Sequence, residues 1–125
     1  MDRRAVRALL RLHDIPAEPG DCHTACAALA KLIPGARAVR GWASESAGVI
    51  MTHSWLETPT QIIDPTMGQF NEHGESGRHC APCIGIWSRL GGNPNPFRVA
   101  GLNGAIFSYR DNARPLARVC QPGTP

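Results

Sequence analysis

The chain has no apolar run long enough to cross a membrane as a helix, so no helical membrane anchor is expected. Its first residues include arginines but neither an apolar h-region nor a small-residue cleavage site, so no signal peptide is expected either. No internal repeat is present. A strong charge of one sign is also lacking. The net charge is +3, and Arg3, Arg4, Arg7 and Arg11 supply most of its local density. Such a balance favours a solvated helix face over a nucleic-acid footprint. A complete pairing of the cysteines is lacking too, because five is an odd number. Disulfides are rare in the cytosol, so reduced thiols and a cytoplasmic location are expected.

What is present suits one domain over residues 1–125, since this length supports one core and not comfortably two. Hydrophobic residues make up 42% of the chain, an ordinary share for a globular protein. Thirteen glycines and eleven prolines cluster toward the second half. That half reads as loop-rich, with Ile84, Ile86, Trp87, Phe97, Val99, Ile106, Phe107 and Tyr109 scattered through it.

Val6, Leu9 and Leu10 give a helical stripe over residues 2–13. Asp14-Ile15-Pro16 ends that helix, because the residue before a proline leaves the α region. His13 sits in the last turn and suits the helix dipole. A second helix is expected over 22–33, capped by Asp21 and closed by Pro34-Gly35. Its buried stripe is Ala25, Cys26, Leu29, Leu32 and Ile33. Strands follow over 36–43, 49–56 and 61–64, with a polar turn at 44–48. Residues 67–78 and 91–96 read as loop. Residues 80–90 read as a short helix or a covering segment, and 97–100 and 105–110 as two short strands.

The organising stretch is residues 51–66, MTHSWLETPTQIIDPT. It reads as a β-hairpin with His53 on one strand and Asp64 on the other. Met51, His53 and Trp55 share one face, and Ile50, Thr52, Ser54 and Leu56 the other. A carboxylate beside a histidine fixes the imidazole tautomer and steadies its charged form. If His53 directly opposes Asp64, Leu56 opposes Gln61, leaving Glu57-Thr58-Pro59-Thr60 as a four-residue loop. A one-residue slip would turn Asp64 to the other face.

A nucleophile must come from elsewhere in the sequence. Cys22 opens the second helix, where unpaired N–H groups and the dipole favour a thiolate. Cys26, one turn on, reads as a small core residue. His23 points about a quarter turn from Cys22 and reads as solvent-facing.

Gly20-x-Cys22 before an alanine-rich helix, then His53-x-Trp55-x-Glu57, then Ile63-Asp64-Pro65-Thr66, resembles the transglutaminase-like superfamily, which is related in fold to papain-type cysteine proteases. The likeness covers roughly residues 19–66. It implies an α+β fold, with helices packed on a small antiparallel sheet and the nucleophile at a helix N-terminus. It implies Cys22 as nucleophile, His53 as base and Asp64 as orienting acid. The implied chemistry is acyl transfer at an amide or ester of a protein or peptide, through a cysteine thioester, with no cofactor and no metal. Many relatives place an oxyanion donor just upstream of the cysteine. Glu18, Pro19, Gly20 and Asp21 offer no such side chain, and Trp42 is the candidate in their place.

Two other readings stand beside this one. Cys80-x-x-Cys83, with His73 and His79 nearby, reads first as structural or unpaired thiols; the alternatives are a redox or disulfide CxxC and, with Cys22 and Cys26, the zinc set of a binding module. Such a site would silence Cys22, since a ligated thiolate cannot attack. The other reading is an inactive transglutaminase-like scaffold that binds a partner. Cys120 has no partner in sequence and reads as inert. Oligomeric state is left open.

Overall fold

The computed structural model describes residues 1–18, 20–45, 50–67, 84–89, 97–100 and 106–111. They form a small α+β fold: helices α1 (Arg3–Leu12) and α2 (Cys22–Ala30), then strands β1 (Arg37–Glu45), β2 (Ile50–Glu57), β3 (Gln61–Asp64), β4 (Gly85–Ser88), β5 (Phe97–Ala100) and β6 (Ile106–Asp111). Neither helix is long and apolar enough to cross a membrane. The expected loop at 91–96, the CxxC, His73, His79 and Cys120 lie outside the described residues.

α1 begins where Asp2 accepts a hydrogen bond from the Ala5 N–H at 2.8 Å. It ends in a Schellman arrangement: Ile15 N–H reaches Leu10 O at 2.8 Å and Asp14 N–H reaches Arg11 O at 3.2 Å. Asp14 takes the left-handed conformation, φ 51°, that such an ending requires. Aspartate tolerates that region better than most side chains. The stop at Leu12 therefore comes from Asp14 as well as from the proline that follows.

The six strands form one antiparallel sheet in the order β4-β3-β2-β1-β6-β5. Alternation sends Leu56, Ile63 and Ile86 to one face, where they pack with Val6 and Leu10 of α1 and Cys26 and Leu29 of α2. Both helices thus lie on the same side, as expected. The other face carries Val39, Ala43, Trp55, Ile62 and Tyr109, packed with Met67 and Trp87. That face is concave. β4 and β6 are four strand positions apart, roughly 19 Å in a flat sheet. Yet the Trp87 and Tyr109 ring centroids are 5.4 Å apart. The sheet curls to bring them together.

Three expectations change. Within the segment 80–90, expected to be a helix or cover, Gly85–Ser88 is the strand β4. Ile86 faces the helices and Trp87 the concave face, an alternation that suits a strand. Gly85 pairs with Asp64, and a Cβ there would collide with the Trp87 ring and Met67 Sδ. The residue that weakens a helix is the one this strand needs. Second, β1 runs on to Glu45, so Ser44 and Glu45 are strand and not turn.

The third change is the hairpin register. β2 and β3 pair Leu56 with Ile63 and Glu57 with Ile62, not Leu56 with Gln61. Thr58 N–H donates to Gln61 O at 2.9 Å, leaving Pro59-Thr60 as the loop. The cause is the Thr58 hydroxyl, which accepts from Gln61 N–H at 2.9 Å and from Thr60 N–H at 3.3 Å. That cap closes the turn two residues tighter than a four-residue loop.

Candidate active site

Continuing that register sets Asp64 opposite Trp55, so His53 is its diagonal neighbour on the same concave face. The slip of two preserves the face, and the expected contact forms. His53 Nε2 donates to Asp64 Oδ2 at 2.8 Å, with both side chains fully buried. Gly41 stands opposite His53 on β1 and adds no side chain beside the ring.

The carboxylate is held from two further directions. Tyr109 Oη, from β6, donates to the same Oδ2 at 2.8 Å. The Thr66 N–H donates to Oδ1 at 3.1 Å, in the turn that Pro65 opens. Both oxygens are therefore engaged, and the carboxylate cannot rotate away from the imidazole.

Cys22 meets this pair at a parting of strands. The β2–β3 ladder covers only Leu56↔Ile63 and Glu57↔Ile62, so residues 53–55 stand clear of it. The start of α2 lies there. Cys22 is hydrogen-bonded to the His53 side chain and to the Ser54 backbone. Asp64 occupies Nε2, which leaves Nδ1 of His53 for the sulfur. Burial pushes the Cys22 thiol up, but the hydrogen bond and charge of His53, with the Ser54 N–H, outweigh it and hold the thiol below its ordinary value. Burial pushes His53 down, yet the Asp64 charge and hydrogen bond, aided by Cys22, raise it to about 9. The two shifts act together, toward a thiolate beside an imidazolium. Cys26 is buried in the core as expected, and burial and the Asp64 charge raise its thiol far above the ordinary range.

Other expectations fare differently. Asp21 precedes α2 but its side chain makes no capping bond to the helix. Its Oδ2 instead accepts from the Glu18 N–H at 3.0 Å. The first N–H groups of α2 are thus left without a side-chain cap. His23 is not simply solvent-facing. It is half-buried, and its Nδ1 shares a hydrogen bond with Ser54 Oγ. Burial lowers its pKa, as do the charges of Arg40 and His53. Trp42 lies on the helix-bearing face, and its Nε1 is buried without a hydrogen-bond partner among the described residues.

Sequence reasoning missed Tyr109 and Ser54. Tyr109 is the sole tyrosine, but only the curl of the sheet brings it to Asp64. Ser54 lies between His53 and Trp55 with no local mark of its contact with the helix start. Glu57, last of the H-x-W-x-E run, holds the frame around the site. It accepts from Trp55 Nε1 at 3.0 Å and pairs with Arg89 and Arg37. Among the described residues no group of three or more His, Cys, Asp or Glu is arranged to hold a metal ion.

No protein-family model, curated protein or solved structure matches the sequence.

Proposed function

We propose that this protein is a thiol hydrolase or acyltransferase of the transglutaminase-like, papain-related kind, acting on amide bonds of protein or peptide substrates. The observation that carries the reading is the unbroken hydrogen-bonded series Cys22–His53–Asp64. The Cys22 thiolate attacks the carbonyl carbon. The developing oxyanion draws on the uncapped N–H groups at the start of α2. The His53 imidazolium gives its Nδ1 proton to the departing amine as the C–N bond breaks, leaving a thioester on Cys22. Water or a second amine then attacks the thioester and returns its proton to His53. The acid or new amide leaves, and the thiolate–imidazolium pair is restored. Asp64 holds the ring throughout.

The test is site-resolved alkylation of the native protein with iodoacetamide near neutral pH, read by peptide mass mapping. Cys22 is expected to react well ahead of Cys26 and Cys120, and Cys22→Ala to remove both the fast label and any turnover. Equal rates at Cys22 and Cys120 would remove the activated thiolate, and with it the acyl-transfer reading in favour of an inactive binding scaffold.

A further inference from the structure

The sheet face that bears the helices is not apolar throughout. Beside the start of α2 it turns basic. Across the β1–β2 ladder Arg40 faces Ser54, the residue whose backbone bonds the Cys22 sulfur and whose hydroxyl bonds His23. The Arg40 charge is felt at His23, next to the nucleophile. Two residues along β1 on the same face, Trp42 is flanked by Thr52 of β2 and Arg110 of β6.

Among the described residues these cations join no ion pair. The ion pairs among the described residues join Arg37 and Arg89 to Glu57, and His53 to Asp64. Arg40 and Arg110 take part in none of them. Arg40 is exposed and Arg110 half-buried. Arg110 Nε and Trp42 Nε1 are both buried without an acceptor among the described residues. On the same face of β1 and β2, the described side chains from Ala38 to Ser44 and from Thr52 to Leu56 include no carboxylate. Buried donors of this kind lack the one thing a carboxylate supplies, an oxygen acceptor with negative charge.

We propose that this ledge is a substrate subsite that takes a carboxylate lying close to the scissile acyl group, with Arg40 as its principal reader and Arg110 beside it. The inference rests on the acyl-transfer reading of Cys22 and adds to it a substrate class, acidic peptides. The carboxylate comes either from an Asp or Glu side chain or from the free carboxyl end of a peptide.

Two experiments test it. The first compares alkylation of Cys22 by iodoacetate and by iodoacetamide, which share a leaving group and differ in carboxylate against amide. The native protein is expected to favour iodoacetate with saturable kinetics. Arg40→Gln is expected to cut the iodoacetate-to-iodoacetamide ratio about tenfold, roughly the worth of one charge-assisted hydrogen bond. Arg110→Gln cuts it less, and because the ratio is taken within each variant, any change in the thiol itself cancels. A ratio unchanged in the double variant overturns the subsite. A slow iodoacetamide reaction in the native protein counts against the thiolate itself, a separate failure. The second experiment does not need the thiol. Cys22→Ala protein is titrated with an acidic peptide amidated at its carboxyl end and with a neutral peptide ending in a free carboxylate. Binding of either, lost on adding Arg40→Gln, supports the subsite and identifies the source of the carboxylate. Binding of neither overturns it.

Discussion

Replacing Asp64 by asparagine tests the electrostatic coupling at its buried end. The Asp64 charge and hydrogen bond offset the burial of His53 and raise it to about 9. Asparagine removes the charge and leaves the burial, so the ring falls from about 9 toward or below its ordinary range and the preference for imidazolium weakens. Geometry adds to the loss. Asp64 Oδ2 accepts from both His53 and Tyr109, and Oδ1 accepts from the Thr66 N–H. An amide has one oxygen. Whichever way it is turned, its NH2 meets a donor, at a cost of about 1–3 kcal/mol. With His53 neutral, Cys22 loses the partner that offsets its own burial, and its thiol rises to the ordinary range or above. An ordinary thiol is only a few per cent ionised at pH 7, so the thiolate pool shrinks by up to about thirtyfold. A more basic thiolate is a better nucleophile, which recovers roughly half of that on a logarithmic scale. The net expectation is a drop of about fivefold in Cys22 alkylation at pH 7, with the pH–rate curve moved to alkaline pH. The assay is iodoacetamide labelling across pH 5–10, quantified at Cys22. A profile for Asp64→Asn that superimposes on the native one would refute the coupling.

Tyr109→Phe removes one donor from a buried carboxylate without opening space, and is expected to cost about 1.5–3 kcal/mol in urea unfolding, the worth of a hydrogen bond to a charged group. It also leaves Asp64 more strongly negative toward His53. The alkaline limb of the alkylation profile therefore moves up, an effect that a purely structural role for Tyr109 would not produce. Stability against pH has an opposed pair of slopes. His53 is raised to about 9 from 6.5, so its contribution is complete below pH ~6.5 and fades as pH rises toward 9. Cys22 is depressed, so its contribution is complete only above the unfolded thiol pKa and is lost as pH falls through the folded one. In the native protein the two slopes oppose each other, so stability changes less with pH than either group alone would make it. Cys22→Ser removes the second slope. Its urea midpoint is expected to fall from about pH 6.5 upward more steeply than the native midpoint, and a midpoint that rises there would contradict the assignment.

How far the site was legible depends on what each signal needs. Cys22, His53 and Asp64 stand out because each is marked locally: a helix start, an alternating strand, and an acid closing the next strand before Pro65. β4 is hard to read because four residues of alternation are outweighed by the glycine at 85, whose need appears only with the Trp87 ring and Met67 packed over it. Asp21 looks like a cap by residue type, but the Glu18 N–H competes for its carboxylate and wins. Tyr109 carries no mark because its contact with Asp64 spans 45 residues and depends on the curl of the whole sheet. The hairpin shows the limit most sharply. Its register was off by two, yet the contact it was meant to deliver forms at 2.8 Å. Strand side chains alternate with period two, so an even slip changes which residues oppose and leaves unchanged which face they occupy. Face is written along the strand itself, in the pattern of His53, Trp55 and Leu56. Register is decided in the turn, by whether the Thr58 hydroxyl or a longer loop satisfies the backbone. An imidazole and a carboxylate on adjacent strands can meet across a diagonal as well as directly. A Cys-His-Asp arrangement of this kind therefore tolerates an error in the turn that it would not tolerate in the strand.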